Sequence, residues 1–80
     1  MQIKILEGSF SAKEALDILT QLVHVKIRYH ENKIQHLDSV EDIKMREKRI
    51  QQLQKDLYEL RTFIESGKKK VNLFGSIEIR

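Results

Sequence analysis

An α+β fold of β-α-α-β order is predicted by three features of this eighty-residue chain. Apolar residues recur at alternating spacings of three and four through two consecutive segments, which is the period of helices that bury one face. A serine stands where each of those segments must begin. Short β-branched alternations close the chain at both ends, and period two is the signature of a half-buried strand. Together they predict a long antiparallel helical hairpin, with N- and C-terminal strands paired in a small antiparallel sheet packed on the first helix.

The first strand is assigned to residues 1–6, where Met1, Ile3 and Ile5 alternate with Gln2 and Lys4. Glu7-Gly8-Ser9 is read as its end. Ser11 followed by Glu14 then forms a capping box, each side chain satisfying a backbone N–H that lacks a helical partner, with Phe10 in the staple position. The first helix is placed at 12–37. Its seam is Leu16, Thr20, Val23, Ile27, His30, Ile34 and Leu37, and a second stripe of Ile18, Leu22, Val25 and Tyr29 lies on another face.

Asp38-Ser39 is the break, because extending the first seam beyond Leu37 lands on polar residues. Ser39 caps a second helix at 40–66, with Glu41 and Asp42 at the positive end of its dipole. Its seam is Ile43, Arg46, Ile50, Leu53, Leu57, Leu60 and Ile64. Folded antiparallel, the two seams align and His30 falls opposite Arg46 and Glu47. The rival reading is one continuous helix with a stammer. Asp42/Arg46, Lys55/Glu59 and Arg61/Glu65 are i,i+4 pairs of opposite charge.

Gly67 suits the residue just past a helix end. Residues 71–80 read as the last strand, either continuous, with Gly75 as a bulge or close-approach site, or folded at Gly75-Ser76 as a hairpin turn. A continuous strand sorts better, gathering Val71, Leu73, Ile77 and Ile79. The apolar sheet face of Met1, Ile3, Ile5, Leu73, Ile77 and Ile79 is then expected to cover the second stripe of the first helix. The eighty residues form a single domain.

Composition narrows function by exclusion. Without cysteine there are no disulfides and no thiolate zinc sites. His24, His30 and His36 step 240° apart on a helix and cannot meet on one metal, so no metal site is assigned. The glycines are isolated, which leaves no phosphate loop, and the serines sit at caps and turns. The reading is a non-enzyme without cofactor. With no basic-then-apolar leader and no membrane-length apolar run, the chain is expected to be cytoplasmic.

The net charge of +3 has one source. Residues 1–39 and 40–66 are each balanced, and the excess comes from Lys68, Lys69 and Lys70. That cluster is the candidate contact for an anion or nucleic acid, a reading that competes with a solvated helix end. A two-stranded sheet is marginal alone and leaves two open edges, so a homodimer is expected. Leu6, Phe74, Tyr58 and Phe63 are the candidate contacts for a second copy or another protein partner. The chain is therefore read as a small interaction or assembly module, with nucleic-acid binding through Lys68–Lys70 as the alternative.

Overall fold

The computed structural model describes residues 1–67 and 70–80. It has β1 (Gln2–Ser11), α1 (Ala12–Ile34), α2 (Val40–Glu65) and β2 (Lys70–Glu78), with the strands paired antiparallel and the helices folded back on each other. The β-α-α-β order and the helical hairpin are as the sequence predicts.

Both helix starts follow the local chemistry. Ser11 Oγ accepts the Glu14 N–H at 3.1 Å, and Glu14 Oε1 accepts the Ser11 N–H at 3.3 Å, so the capping box closes. Ser39 Oγ accepts the Asp42 N–H at a longer 3.5 Å. The first helix stops three residues short of Leu37. His36 and Leu37 instead donate i→i−3 bonds to Lys33 and Ile34, which tightens the last turn and starts the chain reversal. The second helix ends at Glu65, one residue early, and Gly67 takes φ +113°, the geometry foreseen for the residue past a helix end.

Every residue of the two predicted seams is buried or half-buried, while nearly all the rest of α2 is exposed. One helix therefore does cover the other through the seams. Four residues are buried among the described residues: Ala15, His30, Leu57 and Ile64. Three of them lie toward the open end of the hairpin, where the strands join it.

The sheet departs from expectation in its phase. Strand β1 does not end at Leu6 but runs through Glu7-Gly8-Ser9 to Ser11, with Gly8 at φ +140° inside it. Such a φ is open to glycine and strained for other residues. The register skips Ile5: Lys4 pairs with Ser76 and Leu6 with Gly75. That extra residue is a β-bulge, and it shifts side-chain parity by one. Met1 and Ile3 before it, and Leu6, Gly8 and Phe10 after it, consequently share a face with Val71, Leu73, Gly75, Ile77 and Ile79. The bulge lies in β1, not at Gly75. Strand β2 is continuous from Lys70, with no turn at Gly75-Ser76. A Cβ on Gly75 would meet only the Leu6 side chain, at 3.9 Å.

The sheet packs against the start of α1 and does not cover its second stripe. Ile18 is half-buried, but Leu22, Val25 and Tyr29 remain exposed. The molecule measures 46 × 33 × 13 Å. A 26-residue helix is about 39 Å long and a ten-residue strand about 33 Å. The two larger dimensions thus match a hairpin with the sheet lying across its open end.

Candidate self-association surface

The face that β1 and β2 turn toward the hairpin is apolar along its whole length, and the hairpin covers only half of it. Leu6, Gly8, Phe10, Val71 and Leu73, at the end joined to the helices, are half-buried. At the other end Met1, Ile3, Ile5, Ile77 and Ile79 are exposed. Ile77 retains 47 % of its surface and Val25 on α1 retains 57 %. The uncovered end of the sheet and the α1 stripe of Leu22, Val25 and Tyr29 are thus two exposed apolar surfaces of one chain.

The chain as a whole is also less compact than its mass requires. A compact chain of this mass exposes about 5,000 Å². This one exposes 6647 Å². The excess of roughly 1,600 Å² is about twice what each partner buries in a standard protein interface. The radius of gyration, 15.2 Å, likewise exceeds the about 12 Å of a compact domain of this length.

The sequence-assigned contact residues do not gather at one place. Leu6, expected to point away from the core, is half-buried because the bulge turns it inward. Phe74 lies on the outer face of β2 and is 77 % exposed. Tyr58 and Phe63 are exposed on α2, outside its seam. Lys68 and Lys69 lie outside the described residues, and Lys70 is exposed at the start of β2 opposite Ser11. The exposed apolar residues Ile3, Ile5, Ile77 and Ile79 on the sheet and Leu22, Val25 and Tyr29 on α1 include none of them. These residues were legible as apolar stripes, but their exposure was not, since each stripe had a plausible cover in the other.

Toward the hairpin tip the polar seam residues meet as the antiparallel register requires. Arg46 Nη1 lies 2.9 Å from His30 Nδ1. A guanidinium can only donate, so Nδ1 accepts and the neutral ring carries its proton on Nε2. That Nε2 is buried without a partner. Burial holds the His30 pKa below its usual value, and the charges of Arg46, Lys26 and Arg49 push it the same way.

Arg46 thus turns inward to His30, not along α2 to Asp42. The ion pairs found among the described residues are Lys4–Glu7 and Glu78–Arg80, so the three predicted i,i+4 pairs stay open. Arg46 also lies 5.7 Å from the Tyr29 ring centroid, beside Lys26 and Lys33. An open cleft next to this group is lined by His30, Leu37, Asp42, Met45, Arg46 and Arg49.

Among the described residues no group of three His, Asp or Glu side chains could hold a metal, and no helix is long and apolar enough to cross a membrane. Comparison with protein-family models, with curated proteins and with solved structures finds no match to this chain.

Proposed function

We propose that this chain is a non-enzymatic interaction module that assembles with a second copy of itself through the uncovered apolar half of its sheet. The observation that carries this reading is the exposed surface of 6647 Å², with the half-covered sheet face at its centre. Burying apolar area contributes roughly 25 cal/mol per Å² before association costs. The exposed Ile3, Ile5, Ile77 and Ile79 are the apolar area whose burial supports association against those costs. Self-association requires no further chain, and the contact residues repeat on each copy.

Sedimentation equilibrium at micromolar concentration tests it. The expected mass is twice the 9.5 kDa of one chain. Ile77→Glu, at a residue exposed in the single chain, should shift the equilibrium to monomer without loss of helical circular dichroism. A stable monomer at tens of micromolar would overturn the reading. Monomers that bind single-stranded RNA or DNA with a steep salt dependence would move it to the lysine-cluster alternative.

A further inference from the structure

The geometry points to a specific seat for the second copy: strand β2 pairs antiparallel with β2 of the partner about a two-fold axis at Phe74, making one four-stranded sheet. This rests on the self-association reading and names its register. The two edges of the sheet are not equivalent. Strand β1 is bulged at Ile5, a feature that blunts an edge, and carries Gly8 at φ +140°. Strand β2 is unbulged from Lys70 to Glu78 and, unlike β1, carries no residue at positive φ. It is the edge able to take another strand.

The hydrogen-bonding pattern fixes which residues face outward. Met1 donates to the Ile79 carbonyl at 2.9 Å and Ile79 donates to the Met1 carbonyl at 2.7 Å, so this is a mutually bonded pair. Such pairs alternate along an antiparallel ladder. The odd-numbered residues of β2 are therefore spent on β1. Lys70, Asn72, Phe74, Ser76 and Glu78 turn their N–H and C=O groups to the free edge.

Centred on Phe74, a two-fold axis engages all five of these residues. Lys70 falls opposite the partner's Glu78, Asn72 opposite the partner's Ser76, and Phe74 opposite the partner's Phe74. Unlike charges, two hydrogen-bonding side chains and an aromatic pair are the cross-strand combinations that stabilise a sheet. Axes centred on Leu73 or Gly75 leave at least one of the five unused and lose the Lys70–Glu78 match.

On the other face, the same axis sets Ile77 beside the partner's Val71. Val71 stands at the covered end of β2, where the hairpin packs, and Ile77 at the uncovered end. The partner's hairpin is thereby brought to the exposed end of this chain's sheet, and the reverse holds by symmetry. An axis normal to the sheet also sends both hairpins out from the same face. One operation thus pairs the open edge and covers the bare apolar half of each sheet.

The chain has no native cysteine, so engineered cysteines report the register directly. Directly opposed residues of a bonded pair lie about 5.5 Å apart, within disulfide reach. Phe74→Cys should oxidise to a covalent dimer. Asn72→Cys mixed with Ser76→Cys should cross-link to each other, and neither should cross-link to itself. All three positions are exposed in the single chain, so folding is not at stake. A dimer by sedimentation in which Asn72→Cys self-links, or in which Phe74→Cys does not link, would overturn this register while leaving self-association standing. A monomer throughout would overturn both.

Discussion

The hairpin and the sheet are built from equally regular apolar patterns, yet only one of them finds its complement inside the chain. The seam of α1 meets the seam of α2, and every member is buried or half-buried. The apolar face of the sheet meets α1 over half its length and then runs out of partner, leaving Ile3, Ile5, Ile77 and Ile79 in water. The difference is one of geometry. A helical hairpin folds each stripe onto its neighbour automatically, whereas a sheet laid across the end of that hairpin touches it only where the chain joins the two.

The largest expected effect tests whether the core sits on the hairpin side of this divide. Ile64→Ala, at a position 2 % exposed, should cost about 2–5 kcal/mol in urea unfolding, the usual range for such a cavity. Ile77→Ala should cost clearly less in dilute solution, and its cost should grow with protein concentration as the second copy is lost. Equal and concentration-independent losses at the two sites would erase the distinction.

A smaller effect probes the polar level of the hairpin. The folded pKa of His30 lies below its unfolded value near 6.5, so the folded state disfavours the imidazolium. Its contribution is fully present above that unfolded value. It is lost as pH falls from about 6.5 through the folded pKa. Denaturant midpoints measured from pH 8 to pH 5 should drop in that window, and His30→Leu should flatten the drop by removing the titrating group and its unpartnered Nε2. A midpoint that rises as pH falls through the window would contradict the Arg46 contact.

The smallest effects concern the two helix starts, one beside the sheet and one at the tip. Ser11→Ala breaks a two-way capping box and should cost about 1 kcal/mol. Ser39→Ala removes a single 3.5 Å bond and should cost about 0.5 kcal/mol, the low end for a cap. Thermal unfolding of the two variants side by side would measure the difference.

Much of this was legible in the residues. Ser11 and Glu14 announced the first helix, Ser39 the second and Gly67 its end, because caps and turns are decided by neighbours within a few positions. The seams announced the hairpin and even its register, down to His30 against Arg46, because a 3.6 period leaves one stripe that can face a partner. The end of α1 was harder. Leu37 kept the seam in phase and is half-buried, but it does so from a turn.

The phase of the sheet differs from the sequence expectation for a single reason. Alternation in β1 changes phase at Ile5, and a change of phase looks like the end of a strand. In the folded chain it is a bulge, and the pairing with an unbroken β2 restores Leu6 and Phe10 to the same face as Ile3. No local pattern states which of two strands will absorb an extra residue, and Gly75 offers an equally good local signal for it.

What the sequence determined by itself, then, was the order of elements, the caps and the pairing of helix with helix, all set by short-range chemistry and period. Only the tertiary structure decided where the sheet lies and how much of its apolar face stays bare. That depends on the angle at which two strands leave the open end of a hairpin, a quantity that no spacing of residues encodes.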